Sequence, residues 1–224
     1  MRTKRRNRKA VVLSLILSLA LGAAAQSKPV PKTVFYDSDG NEVTNNEFVD
    51  IRMANPNYPD STIVKTLEDG TVVFRLQKVP QEGASAPTFS VRTLDGKTIS
   101  SGDLKGKVVV LSFWFIGCRA CLGMEPQLNA FRSKFADRDD VIFLAMTSDP
   151  ARDVKNYLTK EKFDYLQATD AKTAMDAFVF RVYPKNIVID RTGKIVYWRS
   201  TIKAWGKFES VVRGELEKNG SSMN

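Results

Sequence analysis

The chain of 224 residues carries 34 basic and 25 acidic side chains, two cysteines and no histidine. Without histidine there is no Ser-His-Asp or Cys-His nucleophile pair, no imidazole acid–base chemistry and no His-ligated metal, and two cysteines are too few for a four-thiolate zinc site. A hydrophobic content of 43% is enough for a packed core.

The net charge of +9 is concentrated at the start of the chain. Residues 1–9 hold six bases (Arg2, Lys4, Arg5, Arg6, Arg8 and Lys9), and residues 10–25 are an uncharged apolar run that closes on Gly22-Ala23-Ala24-Ala25. Basic, then apolar, then small is the order of a secretory signal, so residues 1–25 are expected to be a signal peptide; an uncleaved membrane anchor is the competing reading. Removing six bases from an excess of nine leaves three, which gives no electrostatic case for nucleic acid. The body of the protein is then exported, to a periplasmic compartment where disulfides persist.

Residues 26–82 read as a small β-rich N-terminal extension. A Pro-containing linker leads into TVFY and a hairpin turning at Asp39-Gly40, then a short helix in NNEFVDIRM capped by Asn45 or Asn46. A second hairpin, STIVKTL and TVVFRLQKV, turns at Asp69-Gly70. Asp37, Asp39 and Asn41 mimic the start of a calcium loop, but Glu42 and Phe48 stand where that loop needs Gly and Glu. Some fifty residues bury too little surface to be robust alone, so the extension is expected to lean on the larger domain C-terminal to it.

PQEGASAP (80–87) marks the internal boundary. Beyond it, TFSVRT and KTIS flank a turn at Asp95-Gly96. VVVLSFWF (108–115) and VIFLAMTS (141–148) are continuous apolar runs, as expected of strands buried on both faces. Residues 118–137 predict one helix kinked at Pro126, and 150–162 an amphipathic helix begun by Pro150. A short strand or loop (YLQAT), a short helix over 172–180, strands over 186–190 and 194–200 and a helix over 206–220 complete the chain, with 220–224 a tail. Strands alternating with helices argue an α/β fold, with parallel central strands and an antiparallel hairpin at one edge.

Cys118-Arg119-Ala120-Cys121 holds both cysteines, where the first buried strand gives way to a helix. At that junction free backbone N–H groups and the helix dipole stabilise a thiolate. Cys118 is therefore expected to attack a partner disulfide, and Cys121, one turn deeper, to resolve the mixed disulfide. A structural disulfide is the poorer reading, because a ring this small constrains little unfolded-chain entropy.

GASAPTFSVRTLDGKTIS, DLKGKVVVLSFW, the CxxC followed by Glu-Pro, and RVYPKNIVIDRTGKIV resemble the TlpA/ResA type of exported thiol–disulfide oxidoreductase. The resemblance implies a thioredoxin-like fold over 83–219, a central mixed sheet flanked by helices. It implies a cis-proline at Pro184 that holds the Tyr183 backbone within reach of the incoming chain. It also implies reduction of protein disulfides, as in cytochrome c maturation, fed by a membrane donor of reducing equivalents. The dithiol is its own redox centre, so no cofactor or metal is implied, and a monomer is expected.

The chain departs from that pattern in places. Gly117 stands where Trp is common and Ala120 where Pro is common; Arg119 sits beside the attacking cysteine. Met124 occupies the usual glutamate position and Glu125 comes one later, a rotation of about 100° on a helix, so its catalytic role is open. Ser112 replaces the buried aspartate of classical thioredoxins. Trp114 is expected to wall the substrate site beside Gly117, Arg119, Ala120 and Tyr183. Tyr197, Trp198 and Trp205 are candidates for an exposed partner patch, although alternation along a half-buried strand explains the first two equally well. Two alternatives stay open: a peroxiredoxin-like peroxide reductase, disfavoured because Phe115 stands where a Thr or Ser is needed, and a non-enzymatic binding or assembly module.

Overall fold

A computed structural model describes residues 30–54, 62–76 and 78–218. The expected signal peptide (1–25) and the tail (220–224) lie outside the described residues. Among the described residues no helix is long and apolar enough to cross a membrane.

The centre is a seven-stranded sheet ordered β11-β10-β7-β8-β9-β5-β6. Its strands are β5 (Ser90–Thr93), β6 (Thr98–Ser100), β7 (Val108–Trp114), β8 (Val141–Thr147), β9 (Leu166–Thr169), β10 (Lys185–Ile189) and β11 (Ile195–Arg199). The parallel part is confined to β7, β8 and β9. One antiparallel edge was expected; there are two, because β10–β11 closes one side and β5–β6 pairs antiparallel onto β9 at the other. The ends of a sheet need no crossover helix, so hairpins cap both.

Every residue of β7 is buried. Its alternating side chains feed two cores. Val108, Val110 and Trp114 pack on one face with Leu128, Phe131, Phe208 and Val212. Val109, Leu111 and Phe113 pack on the other with Met175, Phe178, Ile187 and Trp198. The first face is covered by α3 (Glu125–Ser133), α4 (Ala151–Leu158) and α6 (Trp205–Glu217), the second by α5 (Lys172–Asp176). Tyr197 and Trp198 are 4% and 1% exposed, so these aromatics form core instead of a partner patch; Trp205 packs against the cluster that holds Tyr197.

The extension is one four-stranded sheet rather than two separate hairpins. Its order is β2-β1-β4-β3, with β1 (Thr33–Tyr36) parallel to β4 (Val72–Leu76), and β2 (Glu42–Val43) and β3 (Thr62–Thr66) antiparallel at the edges. Helix α1 (Asn45–Arg52) is capped by Thr44, not by Asn45 or Asn46: the Thr44 hydroxyl accepts from the Glu47 N–H.

Polar contacts tie residues 31–82 to the rest. Asp50, 2% exposed, accepts from the Lys203 and Ala204 N–H groups (both 2.8 Å) and from the Thr201 hydroxyl (2.9 Å), just ahead of α6. Glu82 accepts from the Trp198 N–H (3.0 Å) and pairs with Arg199. Lys185, 1% exposed, donates to the Ala54 carbonyl (2.6 Å) and the Ser200 hydroxyl (2.8 Å) and lies over the Trp198 ring.

Burial, helped by the nearby Arg199 charge, pulls the pKa of Lys185 down to about 7 from an ordinary 10.5. Between those values the unfolded chain holds a proton that the folded protein has released, so folding stability rises with pH across that window and the gain is lost as pH falls back from 10.5 to 7. Urea unfolding followed over that range is expected to show the rise in the wild-type protein, and a flatter profile in Lys185→Met.

Candidate active site

Strand β7 ends at Trp114, and the chain turns through Phe115, Ile116 and Gly117 to Cys118. Gly117 has φ +91°, a left-handed conformation that side chains rarely adopt. A tryptophan placed on this backbone would be strained.

The expected single helix over 118–137 is two helices. A four-residue α2 (Arg119–Leu122) ends at Gly123, and α3 starts afresh with Pro126 in its first turn. Proline there lacks only an N–H that has no helical partner, so it starts a helix instead of kinking one. Cys118 is the N-cap of α2, and its sulfur accepts from the Cys121 N–H at 3.2 Å. Cys118 and Cys121 are disulfide-bonded, with Cα atoms 5.2 Å apart. They are 7% and 3% exposed, and Gly117, Arg119 and Ala120 around them are exposed. Only the edge of Cys118 meets solvent, so the face on which Cys118 was expected to be open is narrow.

The Tyr183-Pro184 peptide bond is cis, as the resemblance implies. Lys185 pairs with Phe113, which sets Pro184 level with Trp114, beside the strand end that carries the dithiol loop. Pro184 is buried and Tyr183 half-buried. The Tyr183 ring meets Phe115 edge-on at 5.1 Å and Phe180 at 5.1 Å. Trp114 is not part of the surface: it is 1% exposed and packs on Tyr157 (5.3 Å) and Phe163 (5.6 Å). Trp114 is the last residue of β7, whose two faces are both core, whereas Phe115 lies past the strand end and is 36% exposed, so Phe115 takes the wall position assigned to Trp114.

Glu125 is 4% exposed, and its Oε2 accepts from the Tyr157 hydroxyl at 2.7 Å. Its Oε1 is buried with no hydrogen-bond partner among the described residues. Burial raises the Glu125 pKa; the Tyr157 hydrogen bond opposes the rise and the Glu161 charge adds to it. Burial and the neighbouring Glu125 also push the Tyr157 hydroxyl far above its ordinary range, so Tyr157 remains a donor.

Two residues of this site carry no strong sequence signal. Tyr157 sits in a helix whose amphipathic pattern gives no reason to single it out. Asp149 follows β8, and its carboxylate accepts from the Ile116 N–H (2.6 Å) and the Thr147 hydroxyl (2.9 Å). It clamps the loop two residues before Cys118. An acidic residue just past the end of a parallel strand neighbouring the dithiol strand was the available signal.

A disulfide closed within one helical turn at the end of a buried strand is suited to exchange with other disulfides, and it defines this chain as a thiol–disulfide oxidoreductase. The Redoxin model matches residues 81–209, more than half of the chain, and the chain belongs to that family. It is 32% identical over 117 residues to the thiol-disulfide oxidoreductase ResA of Bacillus cereus, covering 52% of this chain and 68% of that protein. It is 30% identical over 117 residues to the thioredoxin-like protein YneN of Bacillus subtilis, covering 51% and 69%. Among solved structures it resembles the thioredoxin domain of a thiol-disulfide oxidoreductase from Bacteroides vulgatus (27% identity, TM-score 0.52, 58% of this chain and 97% of that one). It also resembles a thiol:disulfide interchange protein of the thioredoxin family from Chlorobium tepidum (25%, TM-score 0.52, 60% and 97%). These relatives set aside the non-enzymatic reading.

Asp149→Ala removes the acceptor of two donors, and a loss of about 1–3 kcal/mol in urea unfolding is expected, together with slower disulfide reduction. Asp149→Asn keeps one acceptor oxygen and is expected to fall between alanine and wild type in both measurements.

Proposed function

We propose that the protein is an exported reductant of protein disulfides, working with Cys118 as nucleophile and Cys121 as resolving thiol. The observation that carries the reading is the Cys118 sulfur at a helix N-cap, accepting a backbone N–H that favours its thiolate. The Cys118 thiolate attacks a substrate disulfide and forms a mixed disulfide, and one substrate thiolate leaves. The Cys121 thiolate then attacks the Cys118 sulfur, the intramolecular disulfide forms and the second substrate thiolate leaves.

Exposed Gly117, Arg119 and Ala120, with the backbone of Tyr183 and the cis bond to Pro184, form the rim on which an extended substrate segment lies. With no histidine in the chain, Glu125 is the residue to accept the Cys121 proton, four positions along from it. The dithiol needs no cofactor. Residues 1–25 direct export, and the compartment is periplasmic. Reducing equivalents come from a membrane donor, and apocytochrome c disulfides are the substrate class that the TlpA/ResA resemblance implies. The chain acts as a monomer, without nucleic acid.

In an insulin-reduction assay the wild-type protein is expected to turn over, Cys118→Ser to be inactive and Cys121→Ala to accumulate a covalent mixed disulfide on non-reducing gels. Dithiol-dependent turnover surviving in Cys118→Ser refutes the assignment of the nucleophile. A reduction potential near about −270 mV supports the reductive direction, and one near about −120 mV makes the protein an oxidant instead.

A further inference from the structure

The buried carboxylate of Glu125 is hydrogen-bonded to a residue that also lines an open surface cleft. Its Oε2 is held by the Tyr157 hydroxyl at 2.7 Å. Tyr157 is half-buried and is itself part of the wall of an open surface cleft, with Ile116, Asp149, Asp153, Lys160 and Glu161. One side of Tyr157 thus touches a carboxylate that is 4% exposed, and the residue reaches water on the other. Three of the four charged groups around that cleft are acidic, which attracts protons leaving the interior. The indole of Trp114 packs on the Tyr157 ring at 5.3 Å, and Leu158 beside it joins the same core, so the ring has little freedom to turn away.

We propose that Tyr157 is a proton relay: its hydroxyl passes the proton collected by Glu125 to water in the Asp149–Glu161 cleft while the dithiol re-forms its disulfide. The inference rests on the reading of Glu125 as proton acceptor, and it adds the path by which the acceptor is reset.

Cys121 gives its proton to the Glu125 carboxylate, and its thiolate attacks Cys118. The Cys118–Cys121 bond forms, the bond from Cys118 to the substrate sulfur breaks, and the electron pair leaves with that sulfur. Two electrons pass from the dithiol to the substrate disulfide. In the same step the Tyr157 hydroxyl, which donates to Glu125 while that group is a carboxylate, turns to a cleft water; the Glu125 proton moves to the Tyr157 oxygen as the hydroxyl proton moves to that water, and the substrate thiolate takes a proton from solvent. Tyr157 ends as a neutral phenol and Glu125 as a carboxylate. No oxidant or cofactor is needed beyond the substrate disulfide.

Tyr157 does not touch the reacting sulfurs, so a purely structural role must be separated from a relay. The measurement is the rate of the resolving step in single turnovers of the reduced, full-length protein with a one-disulfide peptide, as a function of pH and of imidazole concentration. Tyr157→Phe is expected to slow that step on the order of tenfold at neutral pH, and added imidazole to restore the rate in proportion to its concentration. Loss of the stabilising hydrogen bond also moves the acid limb of the profile upward by about one pH unit. A Tyr157→Phe rate equal to wild type, or a slowed rate that imidazole does not change, overturns the relay.

Glu125→Gln separates this from the underlying reading. If Glu125→Gln resolves at the wild-type rate, Glu125 is not the acceptor and the relay falls with it. If it is slow while Tyr157→Phe is normal, the acceptor stands and only the relay fails. Should Tyr157→Phe not fold, the wild-type protein still decides. Its resolving rate in mixtures of light and heavy water is expected to curve with deuterium content, as two protons moving together require, and a straight line overturns the proposal.

Discussion

One strand buried on both faces carries the chemistry. β7 contributes seven consecutive buried residues, and its two faces hold two separate cores in register. A strand fixed in that way can end in a loop of unusual shape without losing its direction. The loop uses that freedom fully: a left-handed Gly117, a one-turn helix and a ring of two cysteines follow Trp114 within eight residues. The loop is not left to its own stiffness. Asp149, at the end of the neighbouring parallel strand, holds the Ile116 N–H, and the Tyr183 ring leans on Phe115 from the other side. Both neighbours of β7 therefore pin the segment that precedes Cys118.

Much of this is legible in the sequence because strongly buried elements leave dense signals there. The two apolar runs, the CxxC at the end of the first and the Tyr183-Pro184 dipeptide all stand out in the chain itself. The misses share a cause. Whether 118–137 is one helix or two depends on Gly123 and Pro126 acting together, and a proline read alone suggests a kink. Trp114 is core because both faces of β7 are covered up to its last residue, and exposure begins only at Phe115, past a strand end that the apolar run 108–115 does not mark. Tyr197 and Trp198 are both buried because sheet and helix cover the two faces of β11, a tertiary fact with no local signature. Asp149 and Tyr157 lie 28 and 36 positions beyond Cys121, and only the fold brings them to the loop.

The extension carries this logic across the molecule. Asp50 satisfies the backbone ahead of α6, Glu82 holds β11, and Lys185 reaches Ala54 from the residue directly after Pro184. A segment too small to fold robustly alone is held through buried polar groups, whose partners are costly to leave unsatisfied. The lysine is the most demanding of these, because a buried ammonium with no carboxylate against it loses charge near neutral pH. The strand that presents the cis-proline is thereby coupled to the extension through a group sensitive to pH. A segment that reads as an appendage in the sequence becomes part of the frame of the active site.

The absence of histidine gives Glu125 its meaning. A carboxylate in water is a poor proton acceptor for a thiol, because an ordinary glutamate near about 4.3 is some four units below an ordinary cysteine near about 8.5. Burial narrows that gap from the carboxylate side by raising Glu125. Full burial without a partner would leave the carboxylate protonated and unable to accept anything. The Tyr157 hydrogen bond favours the carboxylate and opposes the rise. Shifting the glutamate one position from the family pattern has a structural consequence that fits this balance: it exchanges a place on the α2–α3 junction at Met124, half-buried, for one inside the core where a tyrosine can meet it. In a chain that has no imidazole, Glu125 would serve the proposed proton transfer as a desolvated carboxyl whose upward shift one phenol opposes.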